Sequence, residues 1–261
     1  MSFDRPRSTQ VCAAFRGRGY MGGGYHLITE ANRAPSVLPE LRATTVHKLV
    51  TPRRAPARFA QYLLRIEPGG GTVLAAMPTR SGLEHFLYGL EGEVRTTVDG
   101  TSHTLTNGRF AFLAQGHPFE LRNASESTAL VIWIKRRFEP AAGLETPASV
   151  AGDRADIPES EYEPGLWRTE LIAASEPRHD FTIIRMRFEP GVELAMVELH
   201  EEEHGLYVTA GRGRYLLGED QHDVQQSDFI YMAPYCPQSF IADAVEGAEY
   251  LLYKDVCRDG F

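Results

Sequence analysis

The chain has 261 residues, of which 43% are hydrophobic, and this is enough apolar material for two compact domains or one large β domain. Its 35 acidic and 27 basic residues give a formal net charge of −8, which argues against a surface for nucleic acid or anionic lipid and favours small-molecule chemistry. Three scattered cysteines (Cys12, Cys236 and Cys257), no apolar stretch long enough to span a membrane and no signal-like start lead us to expect a cytoplasmic protein with reduced thiols.

Four segments follow one another along the chain. Residues 1–40, with the run R-G-R-G-Y-M-G-G-G-Y, are typical of an arm whose order depends on packing elsewhere. Residues 41–137 predict an all-β domain, because short runs of β-forming residues alternate with Gly, Pro, Asn and Asp turns. Residues 138–180 are rich in proline and charge, which indicates a connecting strap. Residues 181–261 return to the β pattern.

The two β-rich segments correspond to each other at a nearly constant offset. Their apolar runs lie at residues 62–66, 86–90, 110–113 and 129–134, and again at 182–188, 206–208, 229–232 and 250–253. The following pairs are each 119 positions apart: His85 and His204, Gly92 and Gly211, Phe110 and Phe229, Pro118 and Pro237, Lys135 and Lys254. The earlier E-P-G turns are 122 apart. An internal duplication explains these matches, and chance agreement between β-rich segments is the alternative.

A group of metal-binding side chains is confined to the second half. In V-E-L-H-E-E-E-H-G-L-Y-V, Glu198 and His200 project from one face of an extended strand, and a hairpin would bring His204 alongside them. Gln238, after the P-Y-C-P turn, supplies a fourth donor from a separate strand. The sequence therefore predicts one divalent metal inside a β-barrel, held by Glu198, His200, His204 and Gln238.

The donor types favour particular ions. One carboxylate, two imidazoles and an amide oxygen suit an octahedral ion with open positions, for which Mn²⁺ is the first choice and Fe²⁺ or Ni²⁺ the less favoured ones. Zn²⁺ prefers tetrahedral nitrogen and sulfur ligands. With neutral imidazoles the site keeps a net charge of about +1, which suits a small anionic substrate.

Two other interpretations apply to the same residues. His200 to His204 spell H-E-x-x-H, the metalloprotease helix in which Glu201 would be the general base. Gly205 and the β-forming L-Y-V-T that follow disfavour such a helix. The acidic triplet could also be a solvated turn with histidines present by chance.

The E-P-G turn, the ligand cluster before Gly211 and the segment P-Y-C-P-Q resemble the two motifs of the cupin superfamily, and the duplication makes the chain similar to a bicupin. A typical cupin has H-x-H, then a glutamate, then a histidine, whereas this chain has Glu, His, His, Gln. That order, with I-K-R-R-F-E-P and Y-L-L-Y-K-D-V-C-R-D, resembles the (S)-ureidoglycine aminohydrolases, manganese bicupins of purine catabolism. The resemblance covers about residues 27–261.

This resemblance implies a fold, a reaction and a site. The fold would be two tandem double-stranded β-helix (jelly-roll) barrels, and the reaction would be manganese-dependent hydrolysis of (S)-ureidoglycine to (S)-ureidoglycolate and ammonia. Glu198 and Lys254 match catalytic positions of the family, and five residues match positions that contact the substrate: Glu198, Tyr215, Gln238, Tyr250 and Lys254. The alternatives are another metal-dependent cupin enzyme, such as a dioxygenase or isomerase on a small acid, and a bicupin that binds a small molecule without turnover.

The first half has lost the ligands. The matching positions fall near Thr79 and Ser81, and Phe119 matches Gln238. We therefore expect that the first half is a scaffold, and that its Glu84, His85 and His117 serve packing or hydrogen bonding. Cupins usually associate through sheet edges and N-terminal strands, so a homo-oligomer is expected.

Overall fold

The structure, a computed structural model, describes residues 17–53, 55–74 and 82–258. This part of the chain forms nineteen β-strands and two single-turn 3₁₀ helices, Glu30–Asn32 and Arg154–Asp156. Within those residues there is no helix of the length and apolar character that crossing a membrane requires.

The strands up to the end of the first half are β1 (Tyr20–Met21), β2 (Tyr25–Ile28), β3 (Pro35–Ser36), β4 (Leu41–Val50), β5 (Phe59–Thr72), β6 (Leu83–Glu91), β7 (Val94–Val98), β8 (Thr101–Leu105), β9 (Arg109–Leu113) and β10 (Ala129–Arg137). The later strands are β11 (Val150–Asp153), β12 (Ser160–Glu163), β13 (Leu166–Ile172), β14 (Phe181–Phe188), β15 (His204–Leu217), β16 (Asp220–Gln225), β17 (Phe229–Met232), β18 (Gln238–Ala242) and β19 (Ala248–Asp255).

The two halves build the same sheet in the same order. The first sheet runs β11-β9-β6-β10-β5-β4-β3, and the path of the second runs β1-β2-β17-β15-β19-β14-β13-β12. The central four strands of one sheet correspond one to one with those of the other, as the offset of 119 residues predicts. Strands β16 and β18 pair with the far end of β15, and β7 pairs with β8. The predicted all-β bicupin class is confirmed, although the strand pairing leaves the barrels open rather than closed.

The connecting segments exchange strands between the halves. Strand β2, from the predicted arm, pairs with β17 and extends the second sheet. Strand β11, from the predicted strap, pairs with β9 and extends the first sheet. The rest of the strap forms the hairpin β12–β13, which pairs with β14. Each half therefore obtains an edge strand from a segment that lies outside its own repeat.

Two glycines of the duplication occupy equivalent bends. Gly92 has φ of +64° and Gly211 has φ of +69°, a backbone conformation that favours glycine. A Cβ atom at Gly211 would lie 2.2 Å from the Gly247 carbonyl oxygen, and one at Gly92 would lie 2.7 Å from the Thr128 carbonyl oxygen. The paired A-G-R-G and E-G-E turns in the sequence thus reflect one steric requirement.

The central strands are buried on both faces, which explains their nearly continuous apolar runs. On β19, Tyr250 and Leu252 pack inside the second half, and Leu251 and Tyr253 pack against the first half. A third apolar cluster fills the first half. Because side chains alternate along a strand, successive buried residues of β19 belong in turn to the interior of the second half and to the contact between halves.

The halves meet about a pseudo-twofold axis. Arg136 donates to the carboxylate of Asp255 at 2.8 Å, and the two residues are 119 positions apart. Arg258 donates to the backbone carbonyl of Glu139, which is also 119 positions away. Residues at a twofold axis contact their own counterparts, so these pairs mark the axis.

Candidate active site

The predicted ligands come from three segments that meet at one end of the second sheet. His204 begins β15 and pairs with Lys254 of β19. Gln238 begins β18. Glu198 is held to Gln238 by two backbone hydrogen bonds of 2.8 and 3.0 Å, an isolated bridge. Glu198 and His200 lie before β15 in a segment that meets β18 through isolated bridges, of Glu198 with Gln238 and of Glu193 with Ile241, and not on the continuous extended strand that the sequence analysis expected.

The two imidazoles and the amide of Gln238 converge. The Nε2 atoms of His200 and His204 are 3.2 Å apart, and the side-chain amide of Gln238 lies 3.1 Å from His200 Nε2. Burial, and then the neighbouring His200, lower the pKa of His204 well below its usual value, so this ring is in the neutral form that binds metals. Two nitrogens bound at about 2.1 Å and at right angles around one ion lie about 3.0 Å apart. The observed spacing therefore fits two ligands of a single cation.

His204 and Gln238 line a cavity in the second half, and Glu198 lines it too, beside Tyr215 and Tyr250. Burial, and then the charge of Glu198, raise the pKa of Tyr215, and burial with Tyr215 and Glu198 raises that of Tyr250. Both phenols are thus protonated at neutral pH, and the cavity beside them has a volume of about 90 Å³. No three His, Cys, Asp or Glu side chains of the described residues gather into one metal-binding group. The structure accordingly brings together His200, His204 and Gln238, and places Glu198 on the cavity wall.

Glu202 is a site residue that the sequence analysis missed. One carboxylate oxygen lies 3.1 Å from His200 Nδ1 and the other lies 3.3 Å from Lys254 Nζ. Burial would raise the pKa of Glu202, but its own backbone N–H and Lys254 outweigh that effect, so its pKa is lowered. The ionised carboxylate thus lies between a predicted ligand and the predicted catalytic lysine, within ion-pair distance of both. The sequence signal was present in the acidic triplet, which the sequence analysis treated as one acidic unit.

Two further cavity residues come from the strap. Tyr162 of β12 and Arg168 of β13 line the cavity together with Glu198, Tyr250 and Lys254. No sequence motif marks them, because they enter the site only through the pairing of β13 with β14. The strap is therefore part of the site's wall.

The metalloprotease interpretation of H-E-x-x-H is wrong. Residues 200–203 form no helix, and His204 is the first residue of a fourteen-residue strand. The side chain of Glu201 is exposed. A zincin needs both histidines on one face of a helix, and that element is replaced here by a loop and a strand.

The equivalent place in the first half is filled by aromatic rings. His85 Nδ1 lies 3.1 Å from Trp133 Nε1, and Trp133 stacks on Phe119 with ring centroids 4.9 Å apart. Burial, and then Lys135, lower the pKa of His85 to about 3. The positions of Thr79 and Ser81 lie outside the described residues. This place therefore holds a neutral histidine packed among aromatic rings.

The two other polar residues of the first half lie elsewhere. Glu84 is buried near Arg136, and His117 pairs with Asp99 at the surface. His117 makes a hydrogen bond with Asp99, and Glu84 is a buried carboxyl group beside Arg136 and Asp180.

Comparison with known proteins finds a family match in the first half and close relatives over most of the chain. Residues 62–135 match the cupin domain family. The probable (S)-ureidoglycine aminohydrolase of Oryza sativa subsp. japonica is 32% identical over 237 residues, which cover 89% of this chain and 73% of that protein. The (S)-ureidoglycine aminohydrolase of Arabidopsis thaliana is 31% identical over 234 residues, which cover 89% of this chain and 76% of that protein.

A solved structure extends the likeness to the whole fold. The crystal structure of the putative glyoxylate induced protein from Pseudomonas aeruginosa superposes with a TM-score of 0.84 at 27% sequence identity. The match covers 95% of this chain and 93% of that one.

Proposed function

The chain belongs to the (S)-ureidoglycine aminohydrolase family, and from that premise we propose that its second half hydrolyses (S)-ureidoglycine to (S)-ureidoglycolate and ammonia in purine catabolism. The observation that carries the proposal is the convergence of His200, His204 and Gln238 within 3.2 Å at a cavity that Lys254 also lines. The aromatic packing around His85 confines this chemistry to the second half.

A divalent cation belongs to the proposal. Glu198, His200, His204 and Gln238 would hold it, with Mn²⁺ preferred over Fe²⁺ or Ni²⁺ because oxygen and imidazole ligands with open positions suit it. The ion would supply a Lewis acid and a positive charge for an anionic substrate. The neutral His204 and the facing Nε2 atoms support this assignment.

The reaction exchanges an amine for a hydroxyl on one carbon. The C–N bond breaks, a C–O bond forms to the oxygen of water, and the proton lost by water leaves with the amine as ammonia. Glu198 is the carboxylate on the cavity wall that would accept the water proton at its Oε atom. Lys254 Nζ, which lies 3.3 Å from Glu202, would deliver a proton to the departing amine, and the proton taken up by Glu198 would then return to Lys254, so that both groups recover their starting protonation.

The tyrosines orient the substrate. Tyr215 and Tyr250 are 2% and 3% exposed, and their raised pKa values keep both hydroxyls as hydrogen-bond donors. Rigid phenols on two paired strands fix the substrate so that water reaches one face of the carbon, which accounts for a single handedness.

Ammonia release from freshly made (S)-ureidoglycine tests the proposal. Protein stripped with a chelator and then reloaded with Mn²⁺ should release ammonia well above a protein-free blank, and the stripped protein should not. His204→Ala should abolish ammonia release and the matched variant His85→Leu should retain it, because His204 lies at the proposed site and His85 does not. Equal release from all preparations, or none from the reloaded wild type, would overturn the proposal.

A further inference from the structure

The strap hairpin places an arginine in the interior row of the second sheet. Arg168 pairs with Met186, and Met186 pairs with Tyr250. Residues opposite one another across a sheet share a face, so Arg168 projects to the same side as Tyr250. It lines the cavity with Tyr250 and Lys254. Its position in the site thus follows from the strand register as well as from the cavity wall.

Arg168 and Lys254 approach the cavity from opposite ends. Tyr250, in the row of Arg168, and Lys254 are four residues apart on β19, which corresponds to about 13 Å along the strand. Lys254 lies beside His204, at the proposed metal. A small substrate bound at His204 therefore extends from the lysine towards the guanidinium.

The guanidinium keeps donors for a ligand. Arg168 is paired with Glu170 through Nη2 and lies over the ring of Tyr162, with 5.7 Å between Cζ and the ring centroid. Its Nε atom is buried and has no hydrogen-bond partner in the described part of the protein. An arginine has five N–H donors, and a buried donor without a partner costs free energy unless a ligand or water takes it.

Lys254, unlike Arg168, is paired with a carboxylate next to the proposed metal ligands. Its Nζ is 3.3 Å from Glu202, and the same carboxylate lies 3.1 Å from His200 Nδ1. This pairing keeps the lysine beside His204, where the proposed reaction needs proton transfer. A second cation, Arg168, is then available to bind the substrate's carboxylate. A planar guanidinium matches a carboxylate better than an ammonium does.

From these observations, and resting on the proposed function, we propose that Arg168 is the residue that binds the substrate's carboxylate, with Nε as a donor and Tyr162 as the surface that holds the guanidinium in place. The substrate class is therefore a small ureido acid whose carboxylate points to the strap hairpin. The role of Lys254 is then proton transfer.

The test compares three variants in the full chain, with ammonia release as the assay. Arg168→Gln should raise KM about tenfold or more, as expected for a lost charge-assisted hydrogen bond, and leave kcat within a few-fold. Glu170→Gln should leave KM unchanged or lower it, because it frees the guanidinium. Arg187→Gln, which removes a surface arginine paired with Glu159, should change neither constant. Equal rises in KM for Arg168→Gln and Glu170→Gln would show that the pair is only structural and overturn the inference.

A binding measurement separates this inference from the proposed reaction. N-carbamoylglycine carries the ureido and carboxylate groups without the amine, and its primary amide lacks the charge. Calorimetry should show tighter binding of the acid than of the amide to the wild type, and this difference should vanish in Arg168→Gln. If the wild type releases no ammonia, this titration still decides the role of Arg168. An acid preference that survives in Arg168→Gln would overturn it.

Discussion

Replacing Arg136 with methionine should destabilise the protein strongly, because Arg136 is the buried cation at the contact between the halves. Its side chain is 1% exposed and lies 2.8 Å from Asp255 and 3.2 Å from Asp180, two carboxylates that are equally buried. It also donates to the hydroxyl of Tyr253 at 2.9 Å. Methionine keeps the apolar stem but removes the buried cation that contacts both carboxylates.

The expected size follows from the burial of these groups. Removing one partner of a buried ion pair costs about 3–5 kcal/mol, against a total stability of about 5–15 kcal/mol for a typical domain. Arg65→Met is the matched control, because the pair of Arg65 with Glu67 is about half exposed and such pairs contribute about 1 kcal/mol or less. Urea unfolding followed by circular dichroism gives the free energy of unfolding for each variant, provided that the slope with urea is unchanged.

Arg136 contacts the strand that carries Lys254 to the site. Glu203 directly precedes His204 and Asp255 directly follows Lys254, and both contact the first half: Glu203 accepts from the backbone N–H of Arg58 at 2.8 Å, and Asp255 accepts from Arg136. A loss of less than about 1 kcal/mol in Arg136→Met, no greater than in the control, would refute the view that this cation holds the halves together. Under that view the first half supports the site by fixing the strands that carry it.

Three further outcomes follow from the site and its surroundings. Gln238→Leu should fold normally but bind Mn²⁺ at least about tenfold more weakly, as measured by titration calorimetry, because one of the converging donors is lost; unchanged affinity would remove Gln238 from the ligand set. Lys254→Met should keep one metal per chain and lose ammonia release; retained turnover would deny Lys254 a catalytic role. Burial, and then Asp180, raise the pKa of Glu84 well above its usual value, so its contribution to stability is full below pH 4.5 and is lost as pH rises towards the raised pKa. Glu84→Gln should therefore lose less unfolding free energy than the wild type between pH 5 and pH 8 in urea titrations at each pH, and identical losses would contradict this assignment.

The fold could be predicted from the sequence because the internal duplication is visible there as a constant residue spacing. The spacing of His85 and His204, and of Lys135 and Lys254, anticipates two sheets with the same central strand order. The strand exchange through β2 and β11 could not be predicted, because either edge strand could pair with its own half and only the packed structure selects the other. The irregular backbone around Glu198 and His200 was missed for a related reason, since residue spacing alone does not show whether a segment pairs with its neighbour continuously or at isolated bridges.

Part of the site is also beyond sequence patterns. His200, His204 and Gln238 converge, and their role as metal ligands stays a prediction, whereas Arg168 carries no motif and Glu202 is not distinguished from the other members of its acidic triplet. Glu202 gains its role from two contacts on opposite sides of one carboxylate, and Arg168 gains its role from strand register. The position of Glu202 depends on an irregular segment, and the position of Arg168 depends on the pairing of strands that are distant in sequence from the proposed ligands.

Elemental analysis of the purified protein tests the central claim most directly, since every proposed step depends on one cation in the second half. Wild type and His85→Leu should each contain about one Mn²⁺ per chain after reloading, and His204→Ala should contain none. Two ions per wild-type chain, or an undiminished content in His204→Ala, would contradict the claim.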